Sequence, residues 1–212
     1  MVHHILATDP ADAYMKAIEH IISNGAQRND SKWKELEVLD LVVEIKEPLE
    51  IDKDFFDNYS RTLDTKIYKD VIDKTLHSSK KGSYWQRLIN WRGNWNQLQA
   101  ITKRMRKYKH SRTLTAVLID PEKDYQDFAF KTPCLTLIDF KCRDSKVNAL
   151  AVFRGHDFGR KAYANYVALG ELLKLICKKT GSKFTHGKLT VFSLSAFIRQ
   201  NEIAKVKRLL AL

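Results

Sequence analysis

The amino-acid sequence predicts an α+β fold: a mixed sheet flanked by helices, in a single domain. Its 212 residues are enough for one substantial hydrophobic core but few for two complete domains. Segments with strand character cluster in the second half of the chain and do not alternate strictly with helices. The composition, with 44% hydrophobic residues and four prolines, is that of an ordinary globular protein. We therefore expect residues 1–212 to form one domain.

An amphipathic helix is predicted near the start of the chain. Asp9 is a suitable helix cap, Pro10 suits the first helical turn, and apolar residues recur at helical spacing as far as Asn24. Residues 38–45 then have the alternation of a strand. The apolar positions expected on one face of this strand are Leu39, Leu41 and Val43.

The middle of the chain is less regular. Residues 50–82 are predicted to be a divergent region at the periphery of the domain, with short helices near 52–58 and 65–76. A longer helix from about 95 to 107 is expected to turn its apolar residues towards the core and a basic run towards solvent.

Three strand-like runs form the predicted centre of the sheet. They cover residues 114–119, 134–141 and 147–153, and the turn at 143–145 joins the last two as a hairpin. A buried helix, a further strand and a basic helix complete the order, near residues 163–179, 189–193 and 201–210.

The formal net charge of +12 is high for this length, and positive charge is dense in residues 103–112. Such a surplus favours anionic ligands, from a nucleotide phosphate to the backbone of a nucleic acid. A solvated helix face is the other interpretation of the same run.

The cysteines and the apolar runs limit the class of protein. Cys134, Cys142 and Cys177 are an odd number without a repeated spacing, so reduced thiols are expected. Nothing in the spacing of Cys and His indicates a metal site. The start lacks the features of a signal sequence, and no apolar run approaches the roughly 20 residues that cross a bilayer. We expect a soluble, cytoplasmic protein with no membrane attachment.

An ordered set of short motifs runs through the chain. The motifs are Asn24-Gly25, Asn29-Asp30, Tyr84, Asn96-Gln97-Leu98, Ser111-Arg112, Pro133-Cys134, Asp139-Phe140, Arg154, Asp157, Asn165 and Ser193-x-Ser195-Ala196. Taken in this order, they resemble the thymidylate synthase family, in particular its short archaeal-type members. The resemblance is weak over residues 10–45 and good over residues 84–200.

The resemblance implies a homodimer formed through the backs of two sheets. It also implies a reaction in which a cysteine thiolate adds to C6 of the uracil of bound dUMP. An uncharged pyrimidine C5 is a poor nucleophile, and the sulfur adduct converts it to an enolate-like carbon. C5 can then take a one-carbon unit, with the hydride for the methyl product, from 5,10-methylenetetrahydrofolate or an archaeal folate analogue.

The same resemblance assigns roles to three residues around the thiol and the phosphate. Cys134 resembles the nucleophile; the alternative is a small buried core thiol. Arg154 resembles the arginine that binds the nucleotide phosphate and favours the thiolate, and a surface ion pair is its alternative. Arg112 resembles the arginine that reaches across the dimer to the same phosphate, although the second arginine usual beside it is Thr113.

Three further residues match positions that contact the base or the folate. Asn165 resembles the asparagine whose amide pairs with O4 and N3 of uracil, while cytosine-modifying relatives typically carry aspartate there. Asp157 resembles the aspartate that contacts the pterin and orders water, with helix capping as the alternative. Tyr84 resembles the tyrosine near C5, against simple packing.

The chain also departs from the family pattern. Ser31 stands where an arginine is expected, although Arg28 lies close enough to substitute, and the glycine-rich loop after it is absent. Gly155 replaces the serine after the phosphate arginine. Phe197 and Arg199 replace the histidine and tyrosine that hold the ribose 3′-hydroxyl, and Arg199 could instead meet a phosphate. No residue matches the glutamate that usually manages protons around the pyrimidine.

Three functions are consistent with these residues. The first is a thymidylate-synthase-like transferase that converts dUMP to dTMP through Cys134. The second is a pyrimidine nucleotide hydroxymethylase, in which water instead of hydride ends the reaction. The third is a catalytically inactive basic relative that binds nucleotides or nucleic acid.

Overall fold

The computed structural model describes residues 2–29, 34–62, 83–126 and 132–211 of the chain. The strands are β1 His3–Ala7, β2 Ala26–Asn29, β3 Lys34–Ile45, β4 Thr115–Val117, β5 Leu135–Arg143, β6 Lys146–Phe153, β7 His156–Asp157 and β8 Thr185–Arg199. The helices are α1 Pro10–Asn24, α2 Lys53–Thr62, α3 Tyr84–Ile89, α4 Gln97–Lys107, α5 Pro121–Asp124, α6 Ala162–Thr180 and α7 Ile203–Leu210. None of these helices is both long and apolar enough to span a membrane.

The eight strands of the described residues form one mixed sheet in the order β1-β3-β8-β6-β5-β4, with β2 beside β3 and β7 beside β8. Strand β8 runs antiparallel to β3 and parallel to β6 and β7. Strands β5 and β6 form the predicted hairpin, whose turn residues Asp144 and Ser145 both have positive φ. The α+β class with a mixed sheet flanked by helices is confirmed.

Helix α6 lies at the centre of the core, where it packs against β6, β8, α1 and α4. It approaches the segment after β3 so closely that a Cβ on Gly170 would lie 2.3 Å from the carbonyl oxygen of Pro48. Only a glycine permits this separation. The helix ends before Gly181, whose φ of 133° favours glycine.

The other face of the sheet is less buried and carries both apolar and charged side chains, among them the ion pair of Lys188 with Glu44. Alternate residues of β6 and β8 are buried, and the residues between them face away from the helices. The exposed apolar side chains on the strands of the sheet are Leu6, Leu39, Val117, Leu150 and Leu194.

Both central strands change face at the same level. In β3 every second residue is buried from Leu41 to Ile45, but the buried residue before Leu41 is Val38, three positions earlier. The alternation breaks because Asp40 has a left-handed φ of 55°. Its partner strand β8 makes the matching change beside Leu194. The prediction that Leu39 shares the face of Leu41 is therefore wrong, and Leu39 is 50% exposed.

Three short strands, β1, β2 and β7, and the ends of β8 were not predicted. Strand β1 pairs in parallel with β3, and β2 pairs antiparallel with the start of β3. Strand β8 begins at Thr185 and not near 189, because its polar first residues pair with the start of β6. These assignments depend on pairing between distant segments, which local periodicity does not report.

The region 50–82 is described only in part. Helix α2 extends the predicted short helix and carries Tyr59, which is fully buried and donates a 2.9 Å hydrogen bond to the carbonyl oxygen of Arg160. The predicted helix near 65–76 lies outside the described residues.

Candidate active site

Cys134 stands immediately before β5 and is partly exposed. Its carbonyl oxygen accepts a 2.9 Å hydrogen bond from the backbone of Arg154, which closes the end of the β5–β6 hairpin. All three cysteines are free thiols, but Cys142 and Cys177 are buried. Burial raises the pKa of both buried thiols, that of Cys177 to about 11. Cys134 is therefore the thiol that a ligand can reach.

Arg154 lies against the segment that leads to Cys134. Its Nε donates to the carbonyl oxygen of Pro133 at 3.0 Å, and its Nη2 donates to that of Thr132 at 2.7 Å. A guanidinium has five N–H donors, so others remain for a ligand. The side chain is exposed and held in place, which suits an anion-binding arginine beside the thiol.

Tyr84 approaches the same thiol from α3. Its hydroxyl oxygen accepts a 3.3 Å hydrogen bond from the backbone N–H of Leu135. Burial and the neighbouring Cys134 raise the pKa of Tyr84 to about 12, so the phenol stays protonated. Tyr84 can thus offer an O–H to a ligand beside Cys134.

Asn165 faces a histidine that was not predicted to take part in the site. The Nδ2 of Asn165 lies 3.2 Å from Nε2 of His156, and Nδ1 of His156 lies 2.9 Å from the hydroxyl of Ser193. The three side chains are almost fully buried. The residues lie within recognised motifs, but their contact depends on the pairing of β6 and β7 with β8, which the sequence does not display.

His156 is held as a neutral ring. It stacks on Phe153 with 3.9 Å between ring centroids and 2° between planes, and it makes edge contact with Tyr166. Burial lowers its pKa to about 3. Above that pH one ring nitrogen donates and the other accepts.

Asp157 carries an unsatisfied acceptor at this end of the site. Its Oδ1 is buried and has no hydrogen-bond partner among the described residues. Burial raises the pKa of Asp157, although the positive charges of Arg199, Lys161 and Arg160 oppose the rise. An orphaned buried acceptor is costly, and a ligand donor would satisfy it.

Arg199 and Phe197 lie beside Asp157 at the end of β8. Phe197 pairs with Asp157 in the sheet, and the guanidinium of Arg199 lies 5.9 Å from the centre of the Phe197 ring. A Cβ on Gly155 would lie 3.8 Å from the same ring. Two departures from the family pattern, at 155 and 197, are therefore neighbours in space.

The structure does not bring Arg28 or Arg112 to Cys134 within the same chain. Arg28 lies on β2, where its Nε donates to Glu37 at 3.1 Å, and four strand spacings, roughly 19 Å, separate β2 from β5, which Cys134 precedes. Arg112 is exposed and precedes Leu114, whose carbonyl oxygen accepts from Phe140. Phe140 is six residues along β5 from Cys134, about 20 Å.

Several contacts fix the segment between Arg154 and α6. The hydroxyl of Tyr14 donates to the carbonyl oxygen of Phe158 at 2.7 Å. Arg160 forms an ion pair with the buried Glu202 at 2.5 Å, in addition to its backbone contact with Tyr59. The position of Asp157 therefore depends on both ends of the chain.

The arrangement supports covalent chemistry at a thiol next to an anion site. Among the described residues, no group of His, Cys, Asp and Glu side chains could hold a metal ion. The groups that are present are a reachable thiol, a fixed guanidinium, a neutral phenol and a buried amide. This set can bind an anionic ligand with a hydrogen-bonding edge and attack it with sulfur.

Comparisons with known proteins agree with the motifs. The family model described as "Thymidylate synthase" matches residues 57–211. A protein of Methanosarcina mazei, provisionally named a thymidylate synthase, is 31% identical over 93% of this chain and 90% of its own length. Proteins with the same provisional name from Methanococcoides burtonii and Methanothermobacter marburgensis are 29% and 28% identical, over 97% and 99% of this chain and 94% and 99% of their own.

The buried His156 makes the protein sensitive to acid. Its pKa is about 3 in the folded chain and 6.5 for an ordinary histidine, so the unfolded chain binds the extra proton between these values. The free energy of unfolding therefore falls as the pH drops from 6.5 towards 3, by a total on the order of 4 to 5 kcal/mol. We expect His156→Gln to remove this component from denaturant unfolding curves measured between about pH 7 and pH 4. The control is the exposed His110→Gln, whose free energy of unfolding should fall with pH as steeply as that of the wild type. An equally steep fall in His156→Gln would contradict the assignment.

Proposed function

This chain belongs to the thymidylate synthase family, and from that premise we propose that it transfers a one-carbon unit to C5 of a uracil nucleotide, converting dUMP to dTMP. The donor would be 5,10-methylenetetrahydrofolate or an archaeal folate analogue. The observation that carries the proposal is the reachable Cys134 thiol between the fixed guanidinium of Arg154 and the hydroxyl of Tyr84.

The residues near Cys134 have complementary roles in the proposed reaction. The Cys134 thiolate forms a bond to C6, and the electron pair of the C5–C6 double bond moves towards O4, which leaves C5 nucleophilic. Arg154 binds the phosphate and favours the thiolate through its positive charge. The nucleophilic C5 then bonds to the one-carbon unit, and a solvent water that accepts a hydrogen bond from the neutral phenol of Tyr84 takes up the C5 proton. Once hydride has reduced the one-carbon unit to methyl, the C6–S bond breaks, the Cys134 thiolate leaves and the C5–C6 double bond is restored.

Asn165 is suited to the uracil edge. Its carboxamide offers an acceptor to the N3–H and a donor to O4. Within the described part of the chain its side chain bonds only to His156, so its remaining polar atoms are available to a ligand.

The residues present also fit a folate. The buried Oδ1 of Asp157 lacks a donor, and a pterin carries N–H groups that could supply one. When bound, the folate supplies a one-carbon unit and the hydride that reduces it to a methyl group. Asp157 would orient that ligand and order water beside it.

A homodimer is part of the proposal. The face of the sheet opposite the core exposes Leu39, Leu150 and Leu194, and exposed apolar side chains on a sheet favour association. Arg112 lies far from Cys134 in its own chain but could reach the site of a second copy. The incomplete phosphate site of one chain thus supports a dimer in which each subunit completes its partner's site.

The reaction is tested by trapping and by product mass. With 5-fluoro-dUMP and methylenetetrahydrofolate, we expect a covalent ternary adduct on Cys134, seen as a mass increase of the intact protein. The adduct persists because the fluorine at C5 cannot be removed in place of the proton that dUMP carries there. Cys134→Ala should lose the adduct, whereas Cys142→Ala should keep it.

With dUMP itself, a methylated product supports the synthase and a hydroxymethylated product supports the hydroxymethylase. Absence of any adduct or product with uridine and cytidine nucleotides, in a protein that still binds them, would favour the inactive relative.

The shared site is tested by mixing two variants. We expect Cys134→Ala to be inactive and Arg112→Ala to be strongly impaired. After mixing and reassociation, heterodimers should contain one intact site, restoring about a quarter of wild-type activity.

The matched control is Arg104→Ala, an exposed arginine on α4 that should keep activity by itself. No recovery on mixing, in variants that remain dimeric, would contradict donation of Arg112 across the dimer.

A further inference from the structure

Asn165, His156 and Ser193 form a hydrogen-bonded chain with little freedom. The distances are 3.2 Å between Asn165 Nδ2 and His156 Nε2 and 2.9 Å between His156 Nδ1 and Ser193 Oγ. Ser193 is 0% exposed, His156 1% and Asn165 9%. Only the asparagine end of the chain can touch a ligand.

The imidazole cannot turn without displacing core aromatic rings. Phe153 stacks on one face, with the two planes 2° apart, and Phe158 and Tyr166 lie 4.8 Å and 5.8 Å from the ring centroid. Phe153 and Phe158 are themselves fully buried. The plane of the ring is therefore fixed by packing.

The proton positions follow from these contacts. Because the amide nitrogen of Asn165 donates to Nε2, the neutral ring carries its proton on Nδ1 and donates it to Ser193. The second Nδ2 hydrogen and the Oδ1 of Asn165 are left for a ligand. Reversing the amide would require the ring proton to move to Nε2 and the Ser193 hydroxyl to become the donor.

We propose that His156 and Ser193 are positioning residues that fix the direction of the Asn165 carboxamide and so make the site select uracil over cytosine. This inference rests on the proposed function, because it concerns how the same site reads the base. Uracil presents an N3–H donor and an O4 acceptor, which match the fixed amide. Cytosine presents an N3 acceptor and an amino donor, and needs all three members of the chain to reverse together.

Ser193→Ala tests the chain without touching the ligand. Removing the hydroxyl leaves Nδ1 without its acceptor, so the ring can carry its proton on Nε2 and donate it to the Oδ1 of a reversed Asn165 amide. We expect the ratio of dCMP to dUMP dissociation constants, measured by calorimetry, to fall by about tenfold or more. Ser195→Ala is the matched control, because the hydroxyl of Ser195 bonds to Glu37 at 2.5 Å and not to His156. An unchanged ratio in Ser193→Ala would overturn the proposal.

A second measurement does not depend on nucleotide binding. The ¹⁵N shifts of His156 should show a protonated Nδ1 and an unprotonated Nε2 in the wild-type protein, and a larger Nε2–H population in Ser193→Ala. A wild-type ring protonated at Nε2 would overturn the proposed amide direction. If neither nucleotide binds, the proposed function fails and the ring shifts alone decide whether the chain is arranged as proposed.

A different part of the molecule carries an independent inference. Exposed cations cluster on α4, at the end of α6 and just after it, and we call them the basic face: Lys103, Arg104, Lys107, Lys178, Lys179 and Lys183. Arg106 joins the two helix ends, since its Nε donates to the carbonyl oxygen of Thr180 at 3.1 Å and its Nη2 to that of Lys179. Neither residues 97–119 nor residues 172–201 contain an aspartate or glutamate.

The basic face is separate from the candidate active site. Along α6, Asn165 and Thr180 are about 22 Å apart at 1.5 Å per residue. The face also carries Tyr108, which is 53% exposed and lies under the ammonium of Lys107, 5.2 Å from the ring centre. Cations that follow a phosphate backbone and an exposed aromatic ring that stacks on bases are the two parts of a single-stranded nucleic-acid surface.

We infer that the basic face binds single-stranded nucleic acid through its phosphates, independently of the nucleotide site. In fluorescence anisotropy with a short labelled oligouridylate, we expect binding that weakens steeply with salt. The double variant Lys107→Glu with Lys179→Glu should bind at least about tenfold more weakly and reduce the salt slope by roughly one to two.

The control is a double variant with the same change of charge elsewhere, Lys123→Glu with Lys207→Glu, which should keep the wild-type salt slope. Equal weakening by both double variants would overturn the inference, as would displacement of the oligonucleotide by excess dUMP or binding that does not respond to salt.

Discussion

Strand β8 is the constraint on which the rest of this structure depends. It pairs with β3 on one side and with β6 and β7 on the other, so it joins the strands from the start of the chain to the β5–β6 hairpin. Its register decides that Ser193 meets His156 and that Phe197 lies beside Asp157. A slip by one residue would turn every side chain of the strand to the opposite face. The site and the core are therefore specified by the same pairing.

The candidate site combines rigid support with a small number of unsatisfied groups. The carbonyl groups before Cys134 hold Arg154, and Tyr14, Tyr59 and Glu202 hold the segment that follows it. Against this support, Oδ1 of Asp157 remains without a partner among the described residues. A fixed framework around open polar positions lowers the entropy lost when a ligand binds.

The sequence was sufficient for the elements whose signals are local: the hairpin and α6 have clear periodicity and end signals. Pro133-Cys134, Arg154 and Asn165 lie in short motifs that single them out, and their roles stay predictions. It was not sufficient where distant segments determine the outcome. Strand β1 exists because β3 pairs with it, the left-handed Asp40 reverses the face of Leu39, and the contact of His156 with Ser193 requires a residue from another strand. Such contacts leave no signal in the local sequence pattern, because the residues next to each partner have no unusual spacing or composition.

The contact between Gly155 and Phe197 changes how the two departures from the family pattern should be counted. A Cβ at 155 would lie 3.8 Å from the Phe197 ring, which is an ordinary van der Waals contact, so the ring leaves room for a side chain there. The hydroxyl absent at one position and the ring present at the other therefore alter one local surface beside Asp157. Because neither excludes the other, the two departures can be reversed one at a time, and the effect of each on the site can be separated.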